Sequence, residues 1–138
     1  MAELIRGKEY NPRRARQAKD YSGLCYGRIT PTDIDGIIEF SNRLFVFLEY
    51  KGSGSPLATG QRLCIQRMVD AIQSQTKTAV AILADHWEHI GDDIDCANAE
   101  VRSIYYLGVW HQMDEKQTVR FVVDQFHKKV FGQQSQAN

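Results

Sequence analysis

The chain has 138 residues, 43% of them hydrophobic and 25% charged, which suits a single globular domain with a real core. Its 17 basic and 17 acidic residues cancel, so overall charge does not advertise nucleic-acid binding, and no apolar run approaches the length of a membrane span. Cys25, Cys64 and Cys96 are odd in number, far apart and without C-x-x-C spacing, which argues against a disulfide framework or a zinc site; with no signal-peptide core in MAELIRGKEY, the expectation is a cytoplasmic protein with free thiols.

Residues 1 to 20 are polar and turn basic: Arg13, Arg14, Arg16 and Lys19 fall close together with no acid among them. Asn11 and Pro12 suit the cap and first turn of a helix, on which the arginines would clamp a phosphate backbone. A solvated N-terminal segment accounts for them equally well. Residues 24 to 30 read as a first strand, with Gly23 and Gly27 marking a turn and a bulge. Arg28 on it would meet a phosphate or, in the plainer reading, pair with Asp33, Asp35 or Glu39.

Residues 31 to 51, PTDIDGIIEFSNRLFVFLEYK, read as a hairpin: a short strand from Asp35, a turn at Ser41-Asn42, and a strongly β-forming run from Leu44. Strand alternation puts Leu44, Val46, Leu48 and Tyr50 on one face and Phe45, Phe47, Glu49 and Lys51 on the other. A run apolar on both faces predicts a central strand, so a carboxylate and an ammonium at its end need a reason. The hairpin returns Asp35 to the neighbourhood of Glu49. Two carboxylates and a lysine then converge, an oxygen-rich set that suits a hard divalent cation and phosphodiester hydrolysis.

The next segment, GSGSPLATG, predicts a flexible loop at the mouth of that site. A helix follows from Pro56 or Thr59 to Gln73, with Ser55-Pro56 or Thr59 as cap candidates and Ile65, Met68, Val69 and Ile72 as its apolar stripe. Gln61 lies one turn before Ile65 on that stripe and faces the sheet near Glu49 and Lys51. Its amide needs a partner: a water, a metal shell, a phosphate or a loop carbonyl. Arg62 belongs to the outer surface, where it extends a basic face.

An acid opening one strand, E-x-K closing the next and a glutamine early in the following helix resembles the PD-(D/E)XK nuclease superfamily over roughly residues 27 to 85. The matching residues are Asp35 for the first acid, Glu49, Tyr50 and Lys51 for E-x-K, and Gln61 for the glutamine. Asp35 is preferred because it runs straight into the strand; Asp33 is its rival or helper, and Pro31 lies four residues before Asp35 rather than directly before it. The resemblance implies an α/β fold with a mixed central β-sheet flanked by helices, the restriction-endonuclease-like core. It also implies a Mg2+ or Mn2+ ion held by Asp35, Glu49 and the backbone carbonyl of Tyr50, with Lys51 acting on the attacking water or the phosphate and Gln61 in support. DNA is the expected substrate, with RNA left open, and small members such as junction resolvases suggest a homodimer. Against this stands the plain reading that Glu and Lys two apart on a strand form a solvated ion pair. The alternative function is an inactive nuclease-fold protein that binds DNA or a host protein, such as a phage-encoded inhibitor.

Residues 78 to 83 form a short apolar strand, and the helix before it predicts that it lies parallel to the E-x-K strand. Residues 85 to 100 hold six acids and no Lys or Arg. Ala97-Asn98 breaks the EF-hand pattern, and His86, His89 and Cys96 make a poor soft-metal set, so a solvated acidic loop standing off any DNA-binding face is expected. Residues 101 to 113 read as one or two strands around Gly108, with Tyr105, Tyr106 and Trp110 more often packing than base-stacking residues. Val119, Val122, Val123, Phe126 and Val130 predict a last helix over 118 to 130, with Lys128 and Lys129 in its final turn, before a polar, disordered tail over 132 to 138.

Overall fold

A computed structural model describes residues 17 to 132, and the chain divides into two compact units after Pro31. In the first, Ser22–Leu24 form one 3-10 turn, and Tyr26 and Ile29 exchange backbone hydrogen bonds of 2.7 and 3.0 Å across a tight turn. The strand expected over 24 to 30 does not form. Gly27, at φ +65°, folds the chain back on itself after one bridge, which leaves no extended run to join a sheet. Arg13, Arg14, Arg16 and the tail beyond 132 lie outside the described residues, while Lys19 and Arg28 are exposed.

The second unit is built on strands β1 (Gly36–Phe40), β2 (Leu44–Gly52), β3 (Thr78–His86), β4 (Glu100–Tyr106) and β5 (Val109–Gln112), with helices α1 (Thr59–Ile72) and α2 (Val119–Phe131). The five strands lie in sequence order in one sheet. Only β2 and β3 run parallel; the other three pairings are antiparallel. This is the expected α/β fold with a mixed sheet between helices.

Each element follows from local chemistry. Between β1 and β2, Ser41 and Asn42 both take positive φ (49° and 59°), and the Arg43 N–H bonds to the Phe40 carbonyl at 2.9 Å. Two successive left-handed residues give the turn whose twist matches a hairpin. Leu107 and Gly108 do the same between β4 and β5. Thr118 caps α2, its hydroxyl accepting from the Phe121 N–H at 3.1 Å. Helix α1 has no such cap: Ala58 occupies the capping position and Thr59 is already helical, so neither Ser55 nor Thr59 plays the part expected of it.

The two faces of β2 separate as its alternation dictates. Leu44 and Val46 join Val80, Ile82 and the α2 valines Val119, Val122 and Val123; Phe47 joins Ala79, Ala81, Tyr105 and the α1 residues Ile65 and Val69. The aromatics of β4 and β5 are packing residues. Tyr105 is buried with its hydroxyl on the Asp70 carboxylate, and its ring meets that of Trp110. Tyr106 packs edge-on against Phe126.

Beyond Asp85 and His86, the acidic segment is the expected exposed loop, with residues 89 to 98 all open to solvent, but it carries ties of its own. Asp85 belongs to β3, His86 pairs with Glu88 at 3.3 Å, and the Asp95 carboxylate accepts from the Asn98 amide nitrogen at 2.8 Å. It also does not stand apart from the E-x-K residues, since the Tyr50 hydroxyl donates to the Cys96 carbonyl at 3.0 Å. The cause is topological. Because β3 runs parallel to β2, the loop leaving β3 starts at the same end of the sheet as Glu49 and Lys51.

Ile82 sits in β3 at 1% exposure, packed between strands and α2. Ile82→Ala is expected to destabilise the protein by ~2–5 kcal/mol, read as a lower urea midpoint at unchanged slope.

Candidate active site

The hairpin register places the first acid. Gly36 pairs with Leu48, so Asp35, one step earlier, stands level with Glu49. The Asp35 Oδ2 accepts a hydrogen bond from the Tyr50 backbone N–H at 2.8 Å, which ties the carboxylate to the end of β2. Asp33 is exposed and offers the site its backbone carbonyl, which accepts from the Gln61 Nε2 at 3.1 Å. Of the two acids, Asp35 is therefore the one whose carboxylate reaches the E-x-K residues.

Glu49 is the unusual group. It is 5% exposed, and its Oε2 is buried without a hydrogen-bond partner. A buried carboxylate oxygen with no donor costs free energy unless the group takes a proton or a cation arrives. Burial and then the neighbouring Asp35 charge push the Glu49 pKa up to about 7, while Lys51 and Gln61 act in the opposite direction. Asp35 itself is exposed, so the pair has one buried and one open member.

Lys51 is half-buried and makes no ion pair among the described residues, although its charge acts on Glu49. The expectation of a plain Glu–Lys ion pair at a strand end does not describe this arrangement. Between them, Tyr50 turns to the other face, its ring packed in the α2-side core. Burial raises the Tyr50 phenol pKa, which keeps it protonated as the donor to Cys96. Gln61 extends from the first turn of α1, donates to the Asp33 carbonyl and acts favourably on the Glu49 carboxylate. Its amide is thus satisfied in part by a loop carbonyl.

Arg62 does not extend an open basic face. It is half-buried and donates to the Gln66 Oε1 at 3.0 Å, an oxygen that also accepts from the Trp110 Nε1 at 2.7 Å. The GSGSPLATG segment is not free either. The Ser53 N–H bonds to the His86 carbonyl at 3.0 Å, the Gly54 N–H to the Asp85 Oδ1 at 3.3 Å, and the Arg102 Nη1 to the Ser55 carbonyl at 2.7 Å.

Those bonds lead to a pair that sequence reasoning missed. Arg102 grips Asp85 with Nε at 3.1 Å and 3.2 Å from the two carboxylate oxygens and with Nη2 on Oδ1. The Arg102 hydrogen bonds, then the Gly54 N–H, hold the Asp85 pKa below the ordinary carboxylate value against the effect of burial. Acid and base lie seventeen residues apart on neighbouring strands, and their meeting depends on a β-bulge in β4 that no local pattern announces.

Could these residues hold a cation? The donors are all hard oxygens, and the orphaned Glu49 Oε2 beside a second carboxylate is the feature that a cation would satisfy. Among the described residues no group of three or more His, Cys, Asp and Glu side chains comes together. The protein's share would then be the two carboxylates and a backbone carbonyl, with water completing the shell, as magnesium favours. Set beside protein-family models, curated proteins and solved structures, the chain matches none.

The raised Glu49 pKa has a signed consequence. The folded state holds a proton there that the unfolded chain has released above the ordinary value of 4.5, so this contribution to stability is full below that value and is lost as pH rises through about 7. Without divalent cations, the melting temperature is expected to fall between pH 5 and pH 8 by the equivalent of roughly 2 kcal/mol. Glu49→Gln, which cannot ionise, should flatten that portion of the profile; a wild-type profile identical to that of the variant contradicts the assignment.

Proposed function

We propose that the protein is a metal-dependent nuclease of the PD-(D/E)XK kind that hydrolyses phosphodiester bonds in DNA. The observation that carries this reading is Glu49: a carboxylate buried at the end of a central strand, its Oε2 unpartnered among the described residues, facing a second carboxylate, with a lysine two residues on whose charge acts on it. A merely structural carboxylate would be neutralised by its neighbours, whereas here burial and the Asp35 charge outweigh the favourable effect of Lys51. That imbalance supports chemistry at the shared site.

Asp35, Glu49 and the Tyr50 backbone carbonyl would hold Mg2+ or Mn2+. Such an ion, when bound, polarises a phosphoryl oxygen and lowers the pKa of a bound water. The Tyr50 N–H fixes the Asp35 carboxylate in place for that task. Gln61 holds the Asp33–Asp35 approach against α1 and steadies Glu49. Lys51, on the same face of β2 as Glu49, is placed to orient the attacking water or to meet the negative charge that develops on the phosphate. Contacts to the phosphate backbone are assigned to Arg13, Arg14, Arg16, Lys19 and Arg28. The reading extends to a cytoplasmic homodimer, one centre per DNA strand.

The test is nicking of supercoiled plasmid with added Mg2+ or Mn2+. Wild type is expected to cut only with the cation, and Glu49→Ala and Lys51→Ala to lose ~100-fold or more of the rate while still folding. No cutting by folded wild type on duplex, single-stranded or branched DNA overturns the reading in favour of an inactive binding protein.

Cation binding is checked separately by thermal shift. At pH 8, saturating Mn2+ should raise the wild-type melting temperature, by the equivalent of ~2.7 kcal/mol at a hundred times the dissociation constant, and leave Glu49→Gln unmoved. The shift should shrink at pH 6, where the carboxylate pair retains a proton.

A further inference from the structure

The lysine of the site has a second acid within reach that it does not use. Across the parallel ladder, Lys51 is the register partner of Asp85. Neighbouring strands lie only about 4.8 Å apart, and side chains directly opposite one another share a face. Asp85 lies on the face of Lys51, because Ala79 and Ala81 of β3 pack with Phe47 on the α1 side and alternation carries that side on to Leu83 and Asp85. Opposite charges so placed attract and pair. Here they do not, and the Asp85 carboxylate is taken by Arg102 through both oxygens.

The bulge in β4 makes this possible. Leu83 pairs with Ser103 and Ala84 with Val101, so Arg102 is the extra residue between two regular pairs. Tyr105 lies in the α1-side core and Val101 in the α2-side core, a reversal of alternation that only an inserted residue produces. A planar guanidinium fork binds a carboxylate better than an ammonium does, so Arg102 outcompetes Lys51 for Asp85.

We infer that Arg102 is a positioning residue for Lys51: by occupying Asp85 it keeps the lysine ammonium from being captured on the neighbouring strand and leaves it directed at Glu49. The electrostatics agree, since Arg102, Gly54 and His86 are the groups that act favourably on Asp85, whereas Lys51 acts on Glu49. The inference deepens the nuclease reading and rests on it for its catalytic meaning, but the pairing itself is testable without any cleavage.

The test uses the full chain in four forms: wild type, Arg102→Gln, Arg102→Lys and the double variant Asp85→Asn with Arg102→Gln. The first measurement is competitive acetylation of lysines at limiting anhydride, with the Lys51 peptide quantified by mass spectrometry. Removing Arg102 frees Asp85 for Lys51, so labelling of Lys51 is expected to drop roughly fivefold in Arg102→Gln, the upper range for a partly exposed ion pair. Arg102→Lys, which retains the charge and covers a folding failure of the glutamine variant, should fall between. The double variant, with no carboxylate left to capture the lysine, should return to the wild-type rate. Plasmid nicking is expected to follow the same order.

Recovery in the double variant separates this role from simple bracing of the 52 to 55 loop, which the second change would not restore. Lys51 labelling unchanged in both single variants, or a double variant as impaired as Arg102→Gln, overturns the inference. A wild type that cuts nothing while the labelling pattern holds would sink the nuclease reading and leave the pairing intact.

Discussion

The structure depends on one strand being covered on both sides. β2 lies inside the sheet, with β1 on one flank and β3 on the other, and a helix packs against each of its faces. Water is excluded from the strand almost to its end, so Glu49 has lost its hydration where Asp35, one strand over, keeps its own. The difference in solvent sets the two carboxylates apart electrostatically. Burial, first of all, raises the Glu49 pKa, and the Asp35 charge adds to that effect. The same exclusion strengthens any charge interaction at the strand end, because there is little solvent left to screen it.

The core around this strand explains why so polar a cluster is tolerated. Leu44, Val46, Val80 and Ile82 are essentially inaccessible, and Ile65 and Val69 clamp the other face. Each such side chain contributes about 1.5–3 kcal/mol on burial. A lone unsatisfied carboxylate oxygen costs an amount comparable to one or two of them. The local deficit at Glu49 thus sits beside well-packed core residues that offset it.

What could be read in advance was what alternation and helical period control. The faces of β2, the stripe of α1, the stripe of α2 and the parallel placement of β3 all follow from where apolar residues recur. So does the approach of Asp35 to Glu49, because a short turn at Ser41-Asn42 leaves the hairpin little choice of register. What escaped was controlled by exceptions to period. Residues 24 to 30 have the composition of a strand but lack a neighbour, and Gly27 turns them back. The acidic segment is the solvated loop its composition predicts, but composition says nothing of which end of a sheet a loop leaves. The grip of Arg102 on Asp85 and on the Ser55 carbonyl of the Gly-Ser loop involves a single inserted residue in β4, invisible to any count of spacing. Gln61 was placed correctly on its helix, but the Asp33 backbone oxygen that it holds has no signature in a side-chain sequence.

The single parallel pairing also shapes how the chain reaches this state. β1 with β2, and β3 with β4 and β5, are antiparallel neighbours in sequence order, whereas β2 and β3 meet only after residues 53 to 77 have wound through α1. Local hairpins close in microseconds, but a non-local seam must first bear the entropy of drawing in its connecting segment. The two hairpin halves are therefore the early units and the β2–β3 seam the late one. Asp35, Glu49 and Lys51 belong to one half, Asp85 and Arg102 to the other. A chain caught before docking would bring the two carboxylates and the lysine together without the Asp85–Arg102 pair beside them, so the arrangement at the strand ends is complete only once folding is.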